Sequence, residues 1–437
     1  GDFISNYAKG GEDEISGGAI YNCVQIESIT GNFIGNYAKA TGEGAVSYGG
    51  AIYNKAEGNL TVLTVIAKDG KNITFSGNTA DYGGAIYNEA YYVDKYGGEV
   101  YGIYPTILKL NAEAGHSITF VGDDTDDNVD SVYNAGTLLI NEADGDTVYS
   151  GDVNFKKVIN ASTGIMKGNF ASGTLVNRGV WHPELSSNTF SIDATVKLAK
   201  DDGADTGGTI DIAYSGFNTD EDDNTDYTSP KYDAKTSFNE ATVSNLTIND
   251  GVLRIQSDLA QNMADKLIAT ALTLGDNAEL KIQVMFDPSF DSSELLTEGV
   301  TVFTANSITG GKSLSDLIVN SKLTIANAEY YAKPTFDISG NDIILTGVKL
   351  IPIPAGDATQ NPDITEYSII EDQKLNDDWG KLAREKDQET DKEMPREFNV
   401  EGNDNTIDGD SHTGLVFGQT EDGERDNVKI ENVTIAN

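Results

Sequence analysis

Between Leu60 and Asn88 the chain alternates apolar and polar residues in short bursts. Leu60-Thr61-Val62-Leu63-Thr64-Val65-Ile66 is followed by Ile73-Thr74-Phe75 and then by Ala85-Ile86-Tyr87. Each burst is β-branched or aromatic, and each is closed by turn-forming residues, Lys68 to Asn72 and Thr79 to Gly83. Period-2 patterning in pieces this short predicts strands, and no run here has the length and 3.6-residue period of an amphipathic helix. Three strands and three turns make one unit, which is the content of one coil of a parallel β-helix.

The unit recurs. Gly17-Gly18-Ala19-Ile20-Tyr21-Asn22 returns unchanged at Gly49 to Asn54 and at Gly83 to Asn88, at intervals of 49 − 17 = 32 and 83 − 49 = 34 residues. Identical hexapeptides at a near-constant interval longer than one element mark stacked layers of a solenoid. Strand alternation sets Ile20 and Asn22 on one face and Ala19 and Tyr21 on the other. A worn copy, Ser131-Val132-Tyr133-Asn134, keeps an aliphatic residue where the Ile stands and puts Ser in place of Ala, so Ile20, Ile52, Ile86 and Val132 are assigned to the interior. Asn22, Asn54, Asn88 and Asn134 then lie at a bend, where Asn tolerates left-handed backbone and can stack its amide on the next layer.

A second signature, Phe-x-x-Asn, alternates with the first: Phe3 to Asn6, Phe33 to Asn36, Phe75 to Asn78, and a worn copy from Phe120 to Asp123. Gly-Gly-Ala-Ile alternating with Phe-x-x-Asn resembles the polymorphic outer-membrane proteins of chlamydiae and, more broadly, the passenger domains of bacterial autotransporters. The resemblance is close over residues 1 to about 134 and looser beyond. It implies an all-β, right-handed parallel β-helix of pectin-lyase-like type, exported to the bacterial outer-membrane surface or beyond and used in adhesion. No β-barrel translocator is legible, and Gly1 to Asn6 already read as mid-repeat and not as a signal peptide, so the chain is expected to be a segment of a longer protein.

Further along, the layers continue with shorter turns through Val158-Ile159-Asn160 and Leu175-Val176-Asn177, and residues 1–181 are read as the repeat-bearing β-helix. Residues 182–350 carry strands at irregular spacing, either the same helix thickened by larger loops or a β-rich cap on it. Residues 351–375, with Pro352, Pro354 and Pro362, are read as a linker. Asn376 is an N-cap candidate for a helix over Asp377 to Lys392, ending before Pro395, and residues 376–397 are expected to cap an open end of the solenoid. From Phe398 to Asn437 aliphatic alternation with Asn at the bends predicts the start of a second β-helix.

Charge narrows the partners. The chain has 30 Lys plus Arg against 70 Asp plus Glu, a formal net charge of −40, which argues against nucleic acid and anionic bilayers because both need a basic patch. No stretch reaches the roughly 20 apolar residues of a membrane span. The lone cysteine, Cys23, excludes an intrachain disulfide and is read as a small, partly buried filler.

Candidate chemistry is sparse. Parallel β-helices often host polysaccharide-cleaving enzymes, and Asn218-Thr219-Asp220, Asp222-Asp223 and Arg254-Ile255-Gln256 are similar to elements of the polygalacturonases. The Gly-His-Gly of that family is missing, and Gln256 stands where it has Lys, so the reading is that this chain is not an enzyme. His116, His182 and His412 are scattered without ligand spacing and are expected at surfaces or turns. Asp123 to Asn128 and Asp220 to Asp226 offer alternating hard oxygens for calcium but lack the closing Gly and Glu of a built loop, so no metal or other cofactor is assigned. If the Ile positions face inward, Tyr21, Tyr53, Tyr87 and Tyr133 form an outward ladder able to bind sugars or protein edges. The functional expectation is a monomeric, surface-exposed stalk or adhesin with a host-cell or glycan receptor; the alternative is a carbohydrate-active β-helix such as a lyase, hydrolase or tailspike-like depolymerase.

Overall fold

A computed structural model describes residues 1–11, 14–90, 92–96, 99–122, 131–143, 147–184, 189–201, 204, 207–219, 225–233, 237–258, 261–286, 299–325, 332–350, 366–368, 373–374, 397–408 and 427–436. The chain winds into a parallel β-helix with three strand faces. The first face stacks Phe3–Ile4, Phe33–Ile34, Ile73–Ser76 and Ser117–Val121. The second stacks Ile20–Asn22, Ile52–Asn54, Ile86–Asn88 and Val132–Asn134. The third stacks Gln25–Ile29, Thr61–Ala67, Thr106–Ala112 and Thr137–Ile140. Like pairs with like in each: Phe33 is in register with Phe75, Ile52 with Ile86, Leu63 with Leu108.

The Gly pair has a steric cause. Gly49 holds φ at +61°, and a Cβ on Gly50 would lie 2.2 Å from the Gly84 carbonyl oxygen and 2.5 Å from that of Thr79. The corner therefore needs left-handed backbone at the first position and no side chain at the second. That corner also revises strict alternation at the next residue: Ala51 and Ala85, assigned to the outer face, are fully buried, because the chain bends before the strand begins.

Inside, Ile52, Ile86 and Val132 are completely buried, as their alternation predicts, and Ile20 at the first layer is half-buried. Phe3, Phe33, Phe75 and Phe120 stack at 4.5 to 4.7 Å between ring centroids. Each fully buried side chain of this size contributes on the order of 1.5–3 kcal/mol from area alone. Beside the apolar core runs an amide ladder: the side-chain amide of Asn22 donates to Asn54 at 2.7 Å, Asn54 to Asn88, Asn88 to Asn134, Asn134 to Asn160 and Asn160 to Asn177, each of the last four at 2.8 Å. The predicted amide stacking is present, but the left-handed backbone is not. Among the described residues, positive φ outside Gly occurs at Ser5, Asp69, Asn141 and Asn262. The ladder Asn residues end their strands in extended backbone, in register with the next layer.

The described parallel strands between residues 182 and 325 continue the same helix. Thr189–Leu198, Glu240–Asp258 and Lys266–Phe286 stack in parallel, the last two long enough to run around a corner and serve two faces. Val300–Ala305 then receives Asp342–Leu350 antiparallel on its outer edge, and Ala332–Ser339 pairs antiparallel with that strand. The reversed hairpin satisfies backbone groups that an open edge would leave free.

The expected capping helix over Asp377 to Lys392 lies outside the described residues. Within the stretch read as a linker, Glu366–Ser368 and Gln373–Lys374 are strands, both parallel to Glu397–Asp408, which pairs in parallel with Asn427–Ala436.

Candidate functional site

The outward positions of the second face carry the tyrosines. Because inward Ile and Asn fix the register, Tyr21, Tyr53, Tyr87 and Tyr133 fall in one column, with centroid distances of 5.2, 5.5 and 5.0 Å in turn. The sequence reading missed a second column. Tyr48 and Tyr82 stack at 5.7 Å, and Tyr48 meets the edge of Tyr87 at 4.8 Å while Tyr82 meets that of Tyr133 at 5.6 Å. The signal was available: both residues stand immediately before a Gly-Gly, at the place that Ser16 fills in the first layer.

Six rings in two adjoining columns make a patch, and the second column changes its shape. Tyr53, expected to face solvent, is only 3% exposed because Tyr21, Tyr48 and Tyr87 surround it. The open rings are Tyr21 and Tyr82, 46% and 45% exposed. Carboxylates are built into the patch. The Tyr21 hydroxyl donates to Glu57 Oε1 at 2.7 Å, the Tyr53 hydroxyl donates to Glu89 Oε2 at 2.9 Å, and Lys55 Nζ lies 3.9 Å from that same oxygen.

Burial, and then the nearby carboxylates, hold the phenols of Tyr21 and Tyr53 far above their ordinary range. Tyr87 is raised by burial first, then by Tyr133 and Glu89. Burial also raises Glu89, against the opposing pull of the Tyr53 hydrogen bond and Lys55.

The third face carries a different cluster. His182 was expected at a surface or turn, yet it is 2% exposed, with Nδ1 3.3 Å from Asp211 Oδ2. Asp211 is completely buried and accepts from Arg254 Nη1 at 2.7 Å and from the Tyr232 hydroxyl at 2.8 Å. Register explains the meeting: Trp181, Ile210 and Leu253 point inward in successive layers, so the neighbouring positions, His182, Asp211 and Arg254, share the opposite side of the sheet. The paired strands Gly216–Thr219 and Thr225–Lys231 lie over them, with Tyr232 following the second, while the His182 ring packs against Tyr214 and Phe217. Burial lowers the His182 pKa more than Asp211 raises it, and Arg254 and Lys167 add to the fall. Burial also opposes the charge on Arg254, but Asp211 and Tyr232 outweigh it and raise its pKa.

This cluster bears on the polygalacturonase-like elements. Arg254 is held by a buried carboxylate, its Nε donates to Gln283 at 2.9 Å, and the Gln256 backbone N–H donates to Asp265 at 2.7 Å. Asn218 and Thr219 belong to a strand of the covering hairpin. Residues 220–224, and the other acidic loop at 123–130, lie outside the described residues. His116 is partly exposed and accepts from the Gly70 N–H at 2.8 Å, and His412 lies outside the described residues. Among the described residues, no three His, Cys, Asp or Glu side chains cluster to hold a metal ion, and no helix is long and apolar enough to cross a membrane.

Residues 72–89 match the Chlamydia polymorphic membrane protein repeat. The matched stretch runs from the Phe75 strand through the Gly83-Gly84 corner to Glu89, so it holds one ring of the Phe stack, one rung of the Asn ladder and two of the six tyrosines. No curated protein matches the chain.

Proposed function

We propose that this chain is a β-helical passenger segment displayed at a bacterial outer-membrane surface or released from it, and that it acts as an adhesin and stalk without catalytic activity. The observation that carries the proposal is the six-tyrosine patch. A solenoid needs its inward residues for stability, but nothing in the coil requires large aromatic rings on the outside of four consecutive layers. Aromatic side chains gathered on an exposed face are what recognition surfaces use. The matched polymorphic membrane protein repeat supports a surface location. The non-enzymatic reading is supported by the pairing of Arg254 with buried Asp211 under a covering hairpin, which leaves that guanidinium engaged within the protein. The rigid stack of layers suits a monomeric stalk that holds the patch away from the membrane.

The test is a binding screen on host cells and immobilised glycans, with release of reducing sugar ends followed on the same polysaccharides. Binding without release is the expected result. Release of sugar ends would overturn the non-enzymatic reading in favour of a carbohydrate-active β-helix.

A further inference from the structure

The tyrosine patch is an oxygen-rich surface in the first layers. Tyr21 and Tyr53 point their hydroxyl protons at Glu57 and Glu89, so the phenolic lone pairs and the carboxylates together present acceptors. Glu14 lies near enough to influence both Tyr48 and Glu89. Burial is the first cause of the raised phenol pKa values of Tyr21, Tyr48, Tyr53 and Tyr87, and the charge of Glu89 adds to the rise at all four. The Glu57 and Glu89 carboxylates, each accepting a tyrosine hydroxyl, set acidic groups among the rings.

The ring geometry points the same way. Tyr87 on Tyr133 and Tyr48 on Tyr82 are stacked at 5.0 and 5.7 Å, with interplanar angles of 5° and 18°. Those pairs turn ring faces toward one another, so Tyr21 and Tyr82, the exposed rings of the patch, are where a ligand reaches it. A cation seats over such a ring face, and the Glu57 and Glu89 carboxylates in the same patch favour a cation over a neutral sugar. Lys55, with Nζ 3.9 Å from Glu89 and about 29% of its side chain exposed, shows that an ammonium group fits at the edge of the patch. A second copy of this chain, at a net charge of −40, would be repelled.

We infer that the Tyr and Glu patch binds a cationic stretch of a protein receptor, the lysine or arginine side chains inserting between the carboxylates and the exposed rings of Tyr21 and Tyr82. The inference rests on the adhesin reading and names the partner of that same face.

The experiment uses the full chain and two double variants that each remove two negative charges. One is Glu57→Gln with Glu89→Gln in the patch. The other is Asp152→Asn with Asp193→Asn, two exposed positions on strands of the first face. The probes are a labelled peptide of alternating arginine and glycine and a labelled neutral hexasaccharide, measured at physiological salt, with matching melting temperatures as the check on folding. The patch variant should weaken peptide binding about five- to tenfold and the distant variant less than about twofold, since removing buried or ring-adjacent charge costs more than removing screened surface charge. Equal losses in both would mean that diffuse charge alone attracts the peptide, and preferential binding of the hexasaccharide would assign the patch to glycans; either overturns the inference. Host-cell binding separates its failure from that of the adhesin reading. If Tyr21→Ser with Tyr82→Ser abolishes cell binding and the Gln variant retains it, adhesion stands and the cationic partner falls. If the unaltered chain does not bind cells, the adhesin reading falls, and the inference with it.

Discussion

The same two columns of the second face read differently in the early and late layers. Going up the solenoid, the outward column runs Tyr21, Tyr53, Tyr87, Tyr133, Ile159, Val176, and then Lys197, Thr247, Thr273 and Thr309. The ladder column runs through six Asn from Asn22 to Asn177 and then changes to Leu198, Ile248 and Leu274. Only the inward column keeps its character throughout, from Ile52 through Val158 and Val196 to Leu272. The comparison teaches that the coil requires an aliphatic residue at one position per layer and tolerates either a satisfied amide or another aliphatic beside it. The Tyr column is therefore free to serve recognition. Among the described residues, fully buried ionisable side chains lie in the later region, where His182 and Asp211 gather with Arg254.

The largest effects should come from breaking what each region relies on. Phe75→Ala, in the middle of the early aromatic stack, should cost about 3–5 kcal/mol, read as a lowered urea midpoint. In the late layers Arg254→Met should cost a similar ~3–5 kcal/mol, because it leaves Asp211 buried without its cation. Adding Asp211→Leu to that variant should restore most of the loss; a purely additive second loss would show that the ion pair is not the unit. Next in size is the ladder column. Asn88→Ala strands the amide of Asn54 and the carbonyl of Thr137 and should cost about 2–4 kcal/mol, whereas Ile248→Val, on the same column of the late layers, should cost about 0.5–1.5 kcal/mol.

The smallest effects are pH-dependent and run in opposite directions. His182 has a folded pKa below its ordinary 6.5, so its contribution to stability is complete above that value and is lost as the pH falls below it. The melting temperature of the unaltered chain should therefore drop against His182→Gln between pH 7 and pH 5 or so. Glu89 has a raised pKa, so the protonated form favours folding and the advantage is lost as pH rises through the carboxylate range. Glu89→Gln should gain slightly on the unaltered chain at pH 7, and the gap should close on acidification.

The fold was legible wherever identical residues stack on themselves. The hexapeptide and Phe-x-x-Asn repeats give the register of the early layers directly, and that register fixes which side each Ile, Asn and Tyr takes. Beyond residue 88 the interval between equivalent positions is irregular, and beyond residue 177 the Asn that marks each layer is lost as well. Leu175 to Val196 is 196 − 175 = 21 residues and Val196 to Leu246 is 246 − 196 = 50, so no period is visible although the backbone ladder continues. His182 looked isolated for that reason: its partners lie 211 − 182 = 29 and 254 − 182 = 72 residues away, at distances set by loop lengths. Of the candidate face, the first Tyr column could be read from the repeat. The burial of Tyr53 could not, because it depends on Tyr48, which flanks the Gly pair and stands outside the hexapeptide.

The central claim is that the tyrosine patch makes contact with host cells while the coil only carries it. The most direct measurement is host-cell binding by the chain bearing Tyr21→Ser and Tyr82→Ser, the two most exposed rings of the patch, alongside its melting temperature. The account predicts a loss of binding of at least about tenfold with the melting temperature within a few degrees of the unaltered chain. Unchanged cell binding, with or without a loss of stability, would contradict it and leave the tyrosines as a covering that stiffens one face of the solenoid.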